Sequence, residues 1–399
     1  MGLVAVKNLT EEGFDVTGFD RNNYVGGLWH YTDEDKTSVL PKLFKGKRVL
    51  VVGLSNTGAD TAATLCGQAD KIWMSHSHGA LVIPRKRDGI AFDHTLTART
   101  MAMTGFLEAT FPRLYEIVFN DICKKMQDKA FKIRPEWKLS PAPSVLHSLP
   151  VVSDTLVGQL ESGDVISVAG LKRVTGPKEI ELTDGTRLDA DAIIWCTGYK
   201  PDFSLLDPNV DPTRNTTPRW AAAKGSRGKP LPRLYQNVFS LDYPDSLAFM
   251  GNIAVATSAF PISDLCSMAI AQTWKGNSPL PSIEEMNRAT DISHDFICNI
   301  AERGSATAGW VRQADWLAWA NKAAGTQVYE HLGWGLKGWK FWWNDHALYK
   351  MAMDGIYTPS IWRIFDGKRK KWDGAREAIE KVNAELEAAK ARAKNKKTQ

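Results

Sequence analysis

The residues of this chain best suited to chemistry are glycines at a strand end. After the apolar, β-branched run Lys47-Arg48-Val49-Leu50-Val51-Val52 the sequence reads Gly53-Leu54-Ser55-Asn56-Thr57-Gly58-Ala59-Asp60. A dinucleotide needs small residues at such a place. Gly53 permits a sharp turn out of the strand, and Gly58 lets the following helix pack closely. The free N–H groups at the start of the helix then face a pyrophosphate, helped by the positive end of the helix dipole. Ser55 stands where a G-x-G-x-x-G pattern carries its middle glycine. A plain glycine turn between a strand and a helix would use the same residues.

The second half of this unit narrows the choice. A second strand is expected at Lys71-Ile72-Trp73-Met74-Ser75, and the next residues are His76-Ser77-His78-Gly79. A site for NAD places an acid about 20 residues after the first glycine, to hold the ribose hydroxyls. No acid stands here, and Arg85, Lys86 and Arg87 lie close by in sequence. The pattern favours NADP(H) over NAD; a polar surface loop is the competing reading.

A second, partial nucleotide pattern lies at the start of the chain. Gly2 opens a helical period of Leu3, Val6 and Leu9, and Asp20 follows eighteen positions after that glycine. That is the spacing between the third glycine and the acidic residue of a dinucleotide fingerprint. A short strand is expected over residues 15–19, and Val25-Gly26-Gly27-Leu28-Trp29 reads as a glycine turn. The sequence does not contain the strand and two glycines that would come before Gly2.

These motifs need elements to carry them. Strand, glycine turn, helix and strand over residues 47–75 make a unit that predicts a parallel sheet. Residues 95–147 read as helical and irregular. A meander is expected from residues 165–168 through Glu179-Ile180-Glu181-Leu182 to Arg187-Leu188, turning at Asp184-Gly185. Residues 191–196 read as a buried strand closed by Thr197-Gly198-Tyr199, residues 206–234 as a loop, and the chain beyond Glu284 as mostly helical. The last helix places Ile379, Val382, Leu386 and Ala389 on one face.

Composition excludes several classes. The net charge is only +5, with much of the excess in Lys368-Arg369-Lys370-Lys371 and the tail, so a nucleic-acid partner is not expected. The five cysteines are scattered and no Cys-x-x-Cys occurs, which argues against a disulfide framework, a zinc cluster and a redox cysteine pair. No apolar run reaches the roughly 18 residues that span a bilayer, and no signal peptide is read at the start. A cytoplasmic location is expected, with peripheral contact to membranes left open. Fifteen tryptophans are many, and those from Trp310 to Trp343 read first as the core of a C-terminal region, second as a partner or membrane-surface patch. No Ser-His-Asp, paired-carboxylate or metal constellation has convincing spacing. His76, His78, His94 and His147 read as surface or core histidines, while His30 and Tyr31 follow the Gly26-Gly27 turn.

Taken in order along the chain, these motifs resemble the flavin-containing monooxygenases. The similar stretches are residues 2–29, the turn from Lys45 to Asp60, Ala192-Ile193-Ile194-Trp195-Cys196-Thr197-Gly198-Tyr199, Tyr235-Gln236-Asn237-Val238-Phe239, Phe249-Met250-Gly251 and Pro261-Ile262-Ser263-Asp264-Leu265. Cys196 takes the place of the family's alanine, Asp20 that of its usual glutamate, and Ser77 that of its arginine. Only fifteen residues separate Trp29 from Lys45, where the family has a much longer segment.

The resemblance implies an α/β fold with two dinucleotide-binding, Rossmann-like domains built on parallel sheets, the FAD one incomplete, and a helical C-terminal region. It implies an FAD-binding domain over residues 1–44 and 190–290, an NADP-binding domain over 45–189, and a helical region with a basic tail over 291–399. Gly2, Asp20, Gly26, Gly27, Leu28 and Trp29 would touch FAD. Gly53, Ser55, Asn56, Thr57, Gly58 and Ser75 would meet NADPH, and Thr197 and Gly198 would form the hinge between domains. The implied reaction passes one oxygen from O2, through a flavin C4a-hydroperoxide formed after NADPH has reduced FAD, to a nitrogen or sulfur of a small molecule. A Baeyer–Villiger oxygenation and a non-catalytic, degenerate nucleotide-binding homologue are the alternatives. The resemblance points to no catalytic side chain and no metal, and the oligomeric state stays open.

Overall fold

The run Arg48–Val52 (β1) lies in the middle of a four-stranded parallel sheet in the computed structural model, which describes all residues except 28–39, 88, 256–258 and 399. Val49, Leu50 and Val51 are fully buried, as expected of a strand covered on both faces. Burying each such side chain is worth about 1.5–3 kcal/mol. Lys71–Ser75 (β2) pairs with β1 on one side, from Arg48 opposite Lys71 to Val52 opposite Ser75. Ile166–Val168 (β3) continues the sheet beyond β2. The helix Asn56–Leu65 connects β1 to β2 and buries Gly58, Ala59, Ala62 and Leu65 against the sheet.

Leu171–Val174 (β4), Glu179–Leu182 (β5) and Arg187–Asp189 (β6) form an antiparallel meander. Gly185 turns the β5–β6 hairpin at φ +85°, a left-handed conformation that suits glycine. The expected meander therefore stands for its last two strands, and Leu171–Val174 is a third strand that the alternation did not indicate. Residues 166–168 are a correction: they pair in parallel with β2, because their edge completes the sheet rather than the hairpins.

Ala192–Trp195 (β7) is a second correction. The resemblance assigns it to the FAD-binding part, yet it pairs with β1, from Val49 opposite Ala192 to Val52 opposite Trp195. It is the edge strand of the sheet and is only partly covered, so it is not the buried strand the apolar run suggested.

The chain divides into two compact units, one of residues 22–86 and 116–200 and one of residues 1–21, 87–115 and 201–399. The first contains the parallel sheet. The second is mainly helical, around the helix Ala259–Trp274, which is buried nearly all round. Such a helix belongs in the middle of a core. Gln313–Ala324 packs against it with Trp316, Leu317, Ala320 and Ala324, and Ile379 of the last helix, Ala375–Thr398, joins the same cluster.

Gly2–Glu11 forms the expected N-terminal helix and lies in this second unit. Residues 15–19 are not a strand. Among the described residues no strand pairs with them, and Phe19 is 94% exposed. A strand needs a partner for its backbone N–H and C=O groups. The tryptophans divide as well: Trp310, Trp316 and Trp362 are core residues, whereas Trp334, Trp339 and Trp343 are exposed, which corrects the reading of a single aromatic core.

Candidate nucleotide-binding site

The turn after β1 is built as a phosphate seat must be. The Gly53 N–H donates to the Ser75 carbonyl (2.9 Å), so the chain leaves β1 while still tied to the end of β2. Gly53 has φ +115°, and a Cβ there would lie 2.5 Å from the Cys196 carbonyl oxygen. A Cβ on Gly58 would lie 2.0 Å from the carbonyl oxygen of Gly53. Both glycines are therefore required by close backbone approach, not merely tolerated. Ser55 caps the helix in an extended conformation, with no side-chain bond to the helix start, and Ser55, Asn56 and Thr57 are exposed. The helix thus presents its first N–H groups to solvent at the carboxyl end of a parallel strand, where the dipole favours an anion.

Two neighbours hold this turn. The Asn56 Oδ1 accepts from the Val152 N–H at 2.8 Å, which fixes the amino end of the helix to the short strand Val151–Val152. Cys196, the residue after β7, is buried against Gly53 and Gly58, and its thiol lies 3.7 Å from the Thr61 hydroxyl. Nothing in the local sequence of residues 53–60 signals Cys196. The clue is that it ends a strand whose neighbour in the sheet also ends in the turn. Thr197 is exposed, and Gly198 turns at φ +81° just before the unit boundary at Lys200.

The expected 2′-phosphate side is less well supplied. Ser75 is buried, and its hydroxyl donates to the Ala169 carbonyl at 2.9 Å. The strand end points Ser75 inward, so its hydroxyl is engaged within the protein. His76 is a core histidine. Its ring nitrogens lie 2.9 Å from the His78 carbonyl oxygen and 2.7 Å from the Ser167 hydroxyl, and burial lowers its pKa. Ser77 and His78 are exposed. Arg85 reaches back to the turn's own helix and pairs with Asp60 at 2.5 Å. Lys138, which the sequence did not single out, pairs with Asp184 at 2.9 Å and holds its carboxyl at about 2.

The residues expected to touch a flavin are spread over both units. Gly2 begins its helix with open space where a Cβ would go, and Asp20 is exposed. Both lie in the helical unit, whereas Gly26 and Gly27 lie in the other. The two glycines have φ +113° and +54°, as a glycine turn requires. Leu28, Trp29, His30 and Tyr31 fall outside the described residues. The start of the N-terminal helix borders a cavity of about 160 Å³ lined by Met1, Met250, Gly251, Ala259, Ser263 and Cys266. Gly251 turns there at φ +108°, with the Met1 Cε 3.1 Å from where its Cβ would stand.

What holds that helix in place is polar and buried. Asn8 donates to the Asp264 carboxylate at 2.9 Å and to the Ser267 hydroxyl at 2.6 Å. Arg363 donates to Asp264 at 2.7 Å and to the Asn8 side-chain oxygen at 2.9 Å. Glu11 takes Arg363 at 3.3 Å and Arg369 at 3.0 Å. Sequence reading did not find this cluster, because its members are hundreds of positions apart. The turn and its helix fit the pyrophosphate of a nicotinamide dinucleotide. The described residues around Gly2 supply a helix start and an adjoining cavity, but no sheet, for a flavin dinucleotide.

Comparison with known proteins gives the family. The family model for flavin-binding monooxygenase-like proteins matches residues 35–399. Monooxygenase aurF of Gibberella zeae is 33% identical, covering 97% of this chain and 96% of that protein. The alignment runs over 508 positions, so more than a hundred of them have no residue from this 399-residue chain. Flavin-containing monooxygenase 3 of Macaca mulatta is 30% identical over 93% of this chain and 63% of its own length, so the chain spans less than two thirds of that relative. Among solved structures, a polycyclic ketone monooxygenase from Thermothelomyces thermophila matches with a TM-score of 0.45 at 14% identity, covering 73% of this chain and 61% of that one.

Proposed function

Since the chain belongs to the flavin-binding monooxygenase-like family, we propose that it acts as an NADPH- and O2-dependent monooxygenase that oxygenates a nitrogen or sulfur atom of a small molecule. The observation that carries the cofactor half of this reading is the turn at residues 53–60. It joins a central parallel strand to an uncapped helix start, and two glycines in it can carry no side chain.

In this reading the N–H groups of Ser55, Asn56 and Thr57 bind the NADPH pyrophosphate, while Gly53 and Gly58 let the backbone approach it. The Cys196 wall fixes the turn, and Thr197 and Gly198 carry the chain between the two nucleotide-binding parts. Gly2, Asp20, Gly26, Gly27, Leu28 and Trp29 are the residues offered to FAD. When bound, flavin supplies the activation of oxygen and the protein supplies position and shelter from water. No side chain is assigned a proton transfer.

The test uses the purified chain with FAD, NADPH and air. The expected result is retained yellow flavin, NADPH oxidation matched by O2 uptake, and an N-oxide or S-oxide from a tertiary amine or sulfide probe. An ester from a cyclic ketone, without N- or S-oxidation, assigns the Baeyer–Villiger class instead. NADPH binding with no flavin uptake identifies a non-catalytic nucleotide-binding homologue, the reading favoured by residues 15–19, which pair with no strand among the described residues. Failure to bind NADPH removes the reading altogether.

A further inference from the structure

The helix Leu336–Asn344 has one face that the fold uses and one that it leaves bare. Inward, Phe341 packs edge-on against His331, Tyr349 and Phe365. Outward, Leu336 is 91%, Trp339 54% and Trp343 80% exposed, and Trp334 just before the helix is 88% exposed. The rings form one continuous patch, with centroids 6.3 Å apart for Trp334 and Trp339, 6.0 Å for Trp339 and Trp342, and 6.3 Å for Trp342 and Trp343. Soluble proteins rarely leave so much contiguous aromatic surface in water without a partner.

The charge around the patch selects the partner. From Gly333 to Asn344 there are two lysines, Lys337 and Lys340, and no acid. Lys337 donates to the Gln327 side chain at 2.6 Å, and Gly367 packs on that same glutamine, with the exposed Lys370 and Lys371 just beyond it in the chain. The acids that flank the segment in sequence are engaged elsewhere, Glu330 with Asn321 and Asp345 with Arg376, and Asp366 beside Gly367 accepts from the Lys371 N–H. Protein–protein interfaces are depleted in lysine. Tryptophan flanked by lysine is instead the composition of segments that lie at the headgroup level of anionic bilayers. No helix among the described residues is long and apolar enough to cross a membrane, so the contact would lie on the surface.

We propose that the face of Trp334, Leu336, Trp339 and Trp343, with Lys337 and Lys340, docks the protein onto anionic membrane surfaces. The protein should sediment with vesicles of three parts phosphatidylcholine to one part phosphatidylserine. Binding to phosphatidylcholine alone should be several-fold weaker, and bound tryptophan emission should shift to the blue. Trp339→Ala with Trp343→Ala should lower partitioning at least about tenfold. Lys337→Glu with Lys340→Glu should lower it about tenfold or more on anionic vesicles and much less on neutral ones. Both pairs lie on the surface, and unchanged thermal melting will show that the fold persists. Met103→Ala with Phe106→Ala, on another exposed apolar surface, should leave binding intact. The proposal is overturned by absence of sedimentation, by full binding of the tryptophan variant, or by equal loss in the Met103/Phe106 control. It is also overturned if the tryptophan face instead holds two copies together, shown by a dimer that Trp339→Ala with Trp343→Ala dissociates.

Discussion

Two helices of this protein open on small residues, and they are held in different ways. Asn56–Leu65 is anchored by a sheet: its Gly58 lies against the backbone of Gly53 just after β1, Gly53 lies against that of Cys196 just after β7, and its free end lies where a dinucleotide can be seated. Gly2–Glu11 has no strand pairing beside it among the described residues. It is anchored by Asn8 to Asp264 and Ser267, and by Glu11 to Arg363 and Arg369. A helix start is thus not a binding site by itself. A parallel sheet fixes where the first N–H groups point, whereas a buried polar cluster fixes only where the helix lies.

The largest effect is expected at that polar cluster. Arg363→Met leaves the buried Asp264 carboxylate without its cation, and breaking a buried pair costs about 3–5 kcal/mol. Chemical denaturation should show the loss, and amide exchange should show the N-terminal helix released first. Unchanged stability would mean that the apolar contacts of the helix, not its polar ones, hold it.

Gly58→Ala tests the other side of the comparison. Its Cβ would stand 2.0 Å from the Gly53 carbonyl oxygen, so the helix must move off the turn. The expected cost is about 2–3 kcal/mol, with NADPH affinity lost in a binding titration. Retained affinity would show that the turn is not the seat.

The smallest effect concerns pH, and the two units differ in its sign. In the sheet-bearing unit, Lys172 and Arg173 hold the Glu181 carboxyl at about 2, below its ordinary 4.5. That stabilisation is complete above 4.5 and is lost as pH falls toward 2. In the helical unit, burial raises Glu108 to about 7, with a contribution from Asp315 and opposition from Arg312. Its contribution is complete below 4.5 and is lost as pH rises toward 7. Glu108→Gln should therefore stabilise the protein at pH 8 by about 1–2 kcal/mol and leave it unchanged at pH 4. Equal effects at both pH values would show that Glu108 matters through packing rather than charge.

Much of the nucleotide turn could be read from residue types alone. A β-branched run, a glycine, and a helix with Ala59, Ala62 and Leu65 at helical spacing specify strand, turn and helix through local sterics and periodicity. The positive φ of Gly53 and Gly185 and the approach of Gly58 to the Gly53 carbonyl are local requirements, whereas the approach of Gly53 to the Cys196 carbonyl is not. Only the tertiary structure decided which edge each strand joined, because pairing depends on a partner many residues away. It put residues 192–195 beside β1 and left 15–19 with no pairing strand among the described residues. It turned the Ser75 hydroxyl inward, brought Asn8, Asp264 and Arg363 together, and set Trp316 in the core but Trp339 in water. An apolar or polar residue type states what it would cost to bury. The neighbours that make that burial favourable come from the rest of the chain.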